Sequence, residues 1–170
     1  SFCPRSACKA KIVLVHDPDG GERFGIFLDA LKKTVEGGHS CIYLAPDKAA
    51  VMRVADRLSR SGERNIRVLL RQGRDEAGLW ADLRSSRACL VVGTRSAVFA
   101  PVSDLGLIIV DSEEEYGYKQ DQAPHYHARE AAVIRAASDG ADILAGSVAP
   151  SLEAMIAVKS GTAELVRIVS

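Results

Sequence analysis

Apolar and polar positions alternate along the chain in blocks that predict a repeated order of strand and helix. Short apolar runs rich in β-branched residues predict buried strands, and they cover residues 11–15, 41–45, 66–70, 89–92, 105–110, 143–145 and 165–168. Between these runs, apolar side chains recur at the spacing of one helical face, over residues 23–36, 49–61, 75–84, 129–138 and 151–159. This order predicts an α/β fold of three layers, with a mostly parallel central sheet of about seven strands between two layers of helices.

Two strands in the middle of the chain run directly into polar loops. The run 89–92 breaks at Gly93-Thr94-Arg95-Ser96, and the run 105–110 breaks at Asp111-Ser112 and three glutamates. Open parallel sheets bind their ligands at the carboxyl ends of the strands. We therefore expect the functional residues in these two loops, with the rest of the chain as their scaffold.

Composition changes this picture little. Hydrophobic residues make up 47% and charged residues 26% of the 170 positions, as in an ordinary globular domain. We predict an N-terminal arm over 1–10 and a single domain over 11–170.

The 22 basic and 22 acidic residues cancel, so bulk charge indicates neither a nucleic-acid nor a membrane partner, although a local basic patch stays compatible with it. No apolar run approaches the ~20 residues of a membrane span. The chain does not begin with methionine, as expected of a piece of a longer protein.

The cysteines and histidines give weak metal signals. Cys41 and Cys89 lie in apolar runs, where a thiol behaves as a small hydrophobic group. Cys3 and Cys8 have no second pair, which makes a poor zinc signature. The pair His125 and His127 has no clear third ligand. We predict no metal site in this chain and a reduced, cytoplasmic setting.

The loop after the first strand has the position of a phosphate-binding P-loop but not its residues. Asp17 and Glu22 stand where glycines belong, Arg23 replaces the lysine, and Phe24 replaces the hydroxyl that holds Mg²⁺. Carboxylates at Asp17, Asp19 and Glu22 would face a polyphosphate of the same sign. The residues favour an acidic surface turn leading into a helix over an ATP site.

Asp111 follows an apolar strand, as does the Walker-B carboxylate that carries Mg²⁺. On its own this signal is weak, because many α/β sheets end a strand with aspartate. The position after it, which holds the catalytic glutamate of a working helicase motor, is Ser112.

Taken together, these segments resemble one protein family. They occur in a single order and spacing: CIYLAPD at 41–47, VVGTRSAVFAP at 91–101, DLGLIIVD at 104–111, YKQ at 118–120, YHARE at 126–130 and GSVAPSLEA at 146–154. The set looks like the first motor lobe of the PriA (primosomal protein N′) family, bacterial replication-restart helicases of superfamily two. HDPDGGERFGIFL at 16–28 sits where the family's P-loop and following helix belong. The resemblance implies a RecA-like lobe.

Departures from the family pattern fall on its ATP-handling motifs. Of the P-loop GVTGSGKT only Gly20 keeps its place, so Gly20, Gly21 and Arg23 form a vestigial cofactor site. The DEEH box becomes DSEE, which leaves Asp111 and Glu113 as a vestigial Walker B, and GSATPS becomes GSVAPS. The resemblance thus implies a degenerate, helicase-inactive lobe of the actinobacterial type that binds no cofactor with confidence.

The residues that remain face DNA in the family. The resemblance assigns backbone contacts to the GTRS loop, namely Gly93, Thr94, Arg95 and Ser96, with a surface ion pair as the alternative for Arg95. It also matches an aromatic-rich loop, in which rings and cations interleave as in single-strand binders; its predicted DNA contacts are Tyr118, Lys119, Tyr126 and Arg129. The alternative for this loop is a packed segment whose tyrosines cover the end of the sheet.

We therefore expect a lobe that binds forked or single-stranded DNA, supports primosome assembly with other replication-restart proteins, and acts in the cytoplasm at the nucleoid. Zinc is expected only in other parts of a full-length protein. Two alternatives stay open: an active ATP-dependent helicase that uses ATP and Mg²⁺ at an altered site, and a small-molecule enzyme on a Rossmann-like sheet.

Overall fold

The computed structural model describes residues 10–70, 76–120 and 126–169 of the chain. Within these residues lie nine strands: β1 (Ile12–His16), β2 (Ser40–Leu44), β3 (Ile66–Leu69), β4 (Leu90–Gly93), β5 (Leu105–Val110), β6 (Lys119–Gln120), β7 (Tyr126–His127), β8 (Asp142–Ser147) and β9 (Glu164–Arg167). The same residues form five α-helices: α1 (Arg23–Glu36), α2 (Lys48–Arg60), α3 (Glu76–Ser85), α4 (Ala128–Asp139) and α5 (Leu152–Lys159). The predicted N-terminal arm lies almost wholly outside the described residues.

The central sheet has seven strands, all parallel, in the order β3-β4-β2-β5-β8-β1-β9. The predicted parallel sheet and its strand count are confirmed. β2, β4 and β5 are buried along their whole length, as expected of strands that are covered on both faces. Because β8 lies between β1 and β5, the polar loops that follow these three strands meet at one edge of the sheet.

Side-chain alternation along each strand supplies both faces of the sheet with apolar groups. In β2, Cys41 and Tyr43 pack with Phe27 of α1 and Val51 of α2, and Ile42 packs on the opposite face with α4. The α5 helix packs on β1 and β8 through Ala154. Helices thus cover both faces, and the predicted three layers are confirmed.

Helix ends follow local hydrogen bonds. The Asp47 carboxylate accepts the Ala50 N–H at 2.7 Å at the start of α2, and the Ser151 hydroxyl accepts the Ala154 N–H at 3.2 Å at the start of α5. Gly140, with φ of 68°, ends α4. The predicted helix boundaries agree to within a residue or two, and Asp75, the predicted start of α3, lies outside the described residues.

Four short elements were absent from the sequence prediction. Two 3₁₀ helices, Arg95–Phe99 and Tyr116–Tyr118, follow β4 and β5, and β6 pairs with β7 in an antiparallel hairpin. These elements carry the loops that resemble the family's DNA-contacting segments.

Cys41 and Cys89 are buried, and burial raises the pKa of the Cys41 thiol to about 12, so it behaves as a hydrophobic group. Cys3, Cys8 and His125 lie outside the described residues. Among the residues that are described, no three potential ligand side chains are grouped to hold a metal ion. Nor does any helix of this part have the length and apolar character to cross a membrane.

Candidate functional site

The loops after β1 and β5 both attach to the end of β8. The Asp17 N–H donates to the Ser147 carbonyl and the Glu113 N–H donates to the Gly146 carbonyl, each at 2.9 Å. A Cβ on Gly146 would lie 2.4 Å from the Phe27 ring and 2.9 Å from Arg23 Cδ, so only glycine lets α1 pack this closely on β8. The predicted vestigial nucleotide site therefore forms one compact group of residues.

The loop after β1 is filled by its own acidic residue. The buried Asp17 carboxylate accepts the backbone N–H groups of Gly20 at 3.1 Å, Glu22 at 2.8 Å and Arg23 at 2.9 Å. Burial raises the pKa of Asp17, but these three donors outweigh burial and leave that pKa below its usual value. The N–H groups that a P-loop turns toward phosphate are here satisfied by a fixed carboxylate.

Arg23 crosses from this loop to the end of β5. Its Nε donates to Asp111 Oδ1 at 2.7 Å and its Nη2 donates to Ser112 Oγ at 2.9 Å. Burial lowers the pKa of Arg23, and the Asp111 charge more than compensates, so the pKa ends above its usual value. The guanidinium thus occupies the space beside the Walker-B position as a permanent cation.

The second Asp111 oxygen is also engaged. Tyr43 Oη donates to Asp111 Oδ2 at 2.8 Å, and burial together with the Asp111 charge raises the pKa of Tyr43 well above its usual value. Ser112, at φ 55°, adopts the left-handed conformation that costs a residue other than glycine energy.

The groups that would meet ATP and Mg²⁺ at this position have partners within the chain. The N–H groups of the loop bind Asp17, and both oxygens of Asp111 are hydrogen-bonded. Phe24, at the position of the metal-binding hydroxyl, is buried, and the Arg57 guanidinium lies 3.7 Å above its ring. Gly21 is exposed, with no atom outside its own and adjacent residues within 4 Å of the position that its Cβ would take, and its N–H is not among the three that bind the Asp17 carboxylate.

Glu113 is a buried carboxylate at the centre of a second group. It accepts Arg129 Nη1 at 2.7 Å, the Ser151 hydroxyl at 2.8 Å and the Ser151 N–H at 2.8 Å. Arg129 Nη1 also donates to Ser151 Oγ at 2.7 Å. Arg129 was predicted to contact DNA, but its guanidinium lies inside this buried network, which does not suit a phosphate contact.

The GTRS loop begins with a tight packing contact. A Cβ on Gly93 would lie 2.5 Å from Ala97 Cβ and 2.7 Å from the Leu69 carbonyl oxygen, which explains its glycine by packing rather than by DNA. Thr94 and Ser96 are half-buried. Arg95 Nη1 donates to the Gly117 carbonyl at 3.1 Å, so this loop and the aromatic segment are in contact, as two parts of one surface would be.

The aromatic segment divides into a buried and an exposed part. Tyr118 is buried, and its single hydroxyl proton is shared between the carbonyls of Leu44, at 2.9 Å, and Asp111. Its predicted DNA contact does not fit, because the ring is inaccessible; the alternative of a tyrosine that covers the end of the sheet fits. Tyr116 is 68% exposed, and the exposed Lys119 ammonium lies 5.8 Å from its ring centre.

Tyr126 lies in β7, next to His127, the cross-strand partner of Lys119. Its half-buried ring packs edge-on against Phe99, with 5.1 Å between ring centres. Sequence reasoning missed Phe99, Tyr43 and Ser151. Ser151 had a usable signal, since serine ahead of an apolar helix is typical of a helix cap.

Comparison with known proteins supports a specific relationship. The chain is 33% identical over 158 residues to the replication restart protein PriA of Bacillus subtilis, which covers 91% of this chain and 20% of that protein. It is 35% identical over 154 residues to PriA of Treponema pallidum, covering 89% of this chain and 23% of that protein. The chain thus spans about a fifth of the length of the curated relatives it matches. No family model matches it.

Solved structures show the same fold at low identity. A RecG structure bound to a three-way DNA junction matches 95% of this chain and 21% of that chain, with a TM-score of 0.62 and 16% identity. The C-terminal domain of Saccharomyces cerevisiae Dbp5, bound to Gle1 and IP6, matches 94% of this chain and 89% of that chain, with a TM-score of 0.67 and 14% identity. The predicted RecA-like fold is confirmed.

Proposed function

Because the chain belongs to the family of the replication restart protein PriA, we propose that it is a lobe that binds DNA without hydrolysing ATP. The observation that carries this proposal is the filled nucleotide loop. Asp17 satisfies three backbone N–H groups of the loop, and Arg23 is paired with Asp111. A ligand with phosphate and Mg²⁺ would have to displace both contacts.

The electrostatics of that exchange are unfavourable for a nucleotide. A phosphate would meet the ionised Asp17 at close range, and like charges 4 Å apart repel by about 4 kcal/mol at an effective dielectric of 20. A magnesium ion at Asp111 would have to replace the Arg23 guanidinium, which is already a charge-assisted donor at 2.7 Å. The alternative, an active ATPase with an altered site, requires both exchanges together.

Titration calorimetry with Mg-ATP tests the inactive site. We expect no saturable heat for the chain at nucleotide concentrations up to the millimolar range. The same titration of the Asp17→Gly, Arg23→Lys double variant tests whether removal of these two side chains allows Mg-ATP to bind. Binding of micromolar strength by the unaltered chain, lost in Asp111→Ala, would overturn the proposal in favour of the active ATPase.

The proposed DNA surface is formed by the GTRS loop together with the exposed residues Tyr116 and Lys119 of the aromatic segment. Arg95 joins the two through the Gly117 carbonyl, and Tyr116 with Lys119 presents a ring beside a cation, a combination that suits a base and its phosphate. The RecG lobe of the same fold belongs to a structure bound to a three-way DNA junction. The buried Tyr118 supports this surface, because its hydroxyl hydrogen-bonds the Leu44 carbonyl at the end of β2 and the Asp111 carbonyl just after β5.

Anisotropy of a labelled DNA fork, measured as a function of salt, tests this surface. Lys119→Ala should weaken binding and lower the slope of log K against log salt by about one. Lys33→Ala, in the last turn of α1, is the matched control and should leave both unchanged. Unaltered affinity and slope in Lys119→Ala and in Arg95→Ala together would reject the DNA role.

The wider role follows the relatives. We propose that a full-length protein containing this lobe takes part in replication restart in the cytoplasm, at the nucleoid, with other primosome proteins as partners. Any zinc site would lie in parts of that protein beyond this chain. ATP and Mg²⁺ belong only to the alternative function.

A further inference from the structure

A groove of about 510 Å³ lies between the Arg95–Phe99 helix, the β6–β7 hairpin and α4. Its floor is apolar, formed by Phe99, Tyr126, Ala131 and Ile134. Its volume is in the range of sites that bury a compact ligand or a few side chains. None of these residues belongs to the filled nucleotide loop.

Two of the floor residues are more exposed than the fold requires. Ile134 is 73% exposed in the middle of α4, and Phe99 is 49% exposed at the end of its helix. A β-branched residue in an exposed helical position contributes neither helix propensity nor burial to stability. The rings of Phe99 and Tyr126 pack edge to face, so the apolar surface has a defined shape. Exposed apolar patches of this kind mark interaction sites.

The rim of the groove decides which partner it fits. Glu130 and Asp139 of α4 contribute carboxylates to it. Arg135 is turned inward, because its Nη1 donates to the Val98 carbonyl at 2.6 Å and its Nε donates to Asp139 at 3.2 Å. His127, where burial and Arg129 lower the pKa, is neutral at pH 7. Asp139 is thus neutralised by Arg135, and among the described residues that line the groove the remaining carboxylate is that of Glu130.

A negative rim around an apolar floor disfavours nucleic acid, since a phosphate beside the groove would face Glu130, while the guanidinium of the lining residue Arg135 is bound to Val98 and Asp139. It favours apolar side chains flanked by lysine or arginine. We propose that this groove docks a basic, apolar peptide segment of a protein partner, with its apolar residues on Ile134 and Phe99 and its cations at Glu130. This deepens the partner-binding half of the proposed function and uses residues separate from Arg95 and Lys119.

The test uses three labelled amphipathic peptides of leucine, alanine and one polar residue, which is lysine, glutamine or glutamate. Anisotropy gives affinity, and amide shifts of the ¹⁵N-labelled chain give the location. The lysine peptide should bind at least about tenfold more tightly than the glutamate peptide, with amide shifts confined to α4, β7 and the Arg95–Phe99 helix. Ile134→Ser should remove most of this binding, and Glu130→Gln should reduce the preference for lysine over glutamine.

Ile156→Ser is the matched control, because Ile156 is also an exposed helical isoleucine, at 55%, on the separate helix α5. It should leave peptide binding unchanged. No saturable binding, equal binding of all three peptides, or equal loss in Ile156→Ser would overturn the proposal. If a thymidine oligonucleotide changes the amide chemical shifts of the groove residues, and Ile134→Ser abolishes these changes, the groove would be assigned to DNA instead. Self-association in sedimentation that Ile134→Ser abolishes would assign it to a second copy. Binding of the DNA fork by Lys119→Ala is measured separately, and its result neither supports nor contradicts the peptide-binding proposal.

Discussion

Arg23 Nε and Asp111 Oδ1 lie 2.7 Å apart, in an ion pair that joins the first turn of α1 to the end of β5. The two side chains are only 12% and 18% exposed, so solvent screens the pair weakly. Each charge is compensated mainly by the other, which makes the pair costly to break from one side.

A double-mutant cycle measures that dependence. Arg23→Met and Asp111→Asn should each lower the free energy of unfolding by about 3 kcal/mol, because each leaves a poorly solvated partner charge. The double variant should cost clearly less than the sum, as directly contacting residues do. Urea denaturation at pH 7 gives the three values. Additive costs would show that the two side chains do not depend on each other.

Asp17→Asn should destabilise the chain by about 1–3 kcal/mol at pH 7, because an amide is a weaker acceptor for three N–H groups than a carboxylate. Three N–H donors keep the pKa of Asp17 below the ordinary 3.8, so its extra stability is present above pH 3.8 and is lost as pH falls through the lowered pKa. The difference between the two proteins should therefore shrink on acidification. Asp29→Asn on the exposed side of α1 should change the free energy of unfolding by less than about 0.5 kcal/mol at pH 7.

His127 makes the start of α4 sensitive to mild acid. Its Nδ1 accepts the Arg129 N–H at 3.2 Å, which requires the neutral ring. Burial, and then Arg129, hold the pKa of His127 below 6.5, so this contribution is complete above pH 6.5 and is lost as pH falls through the lowered pKa. In His127→Asn the cap, worth about 1 kcal/mol, should persist. Urea denaturation at pH 7.5 and pH 5 should show a smaller decrease for the variant; an equal decrease would contradict this account.

Gly93 and Gly25 should respond oppositely to alanine. At Gly93 the added Cβ would lie 2.5 Å from Ala97 Cβ and 2.7 Å from a backbone oxygen, and overpacking of this kind costs about 1–3 kcal/mol. At Gly25 of α1 nothing lies within 4 Å, so the same change should stabilise the helix by about 0.5–1 kcal/mol. Thermal denaturation of the two variants provides the comparison. A tolerated Gly93→Ala would contradict the packing explanation for this glycine.

The sequence predicted the strands and helices because each long element repeats its pattern. β5 is a continuous apolar run, and α1 shows apolar residues at helical spacing. The hairpin strands have two residues each, too few for any period to emerge. Tyr118 could not be assigned either, since a tyrosine is equally suited to a wet surface and to a buried ring with a bonded hydroxyl.

The filled nucleotide loop was only half predictable. Like-charge repulsion indicated that Asp17 disfavours a phosphate, which stays a prediction. Composition could not show that the Asp17 carboxylate accepts three backbone N–H groups of its own loop, because that depends on the φ of +72° at Gly20 and on the path of the loop. The Arg23–Asp111 contact spans 88 positions, a separation at which a single sequence carries no pairing signal.

Arg23 and Asp111 are attached to strands that are not neighbours, because β8 runs between β1 and β5. The ion pair joins the loops after β1 and β5 across the end of β8. The Glu113–Ser151 hydrogen bonds join the loop after β5 to the chain that leaves β8. They resist sliding of the strands past one another as well as their separation. In native-state hydrogen exchange, the amides at the ends of these three strands should become exposed in one cooperative opening. A variant that removes either set of contacts should raise the exchange rate at all three strand ends.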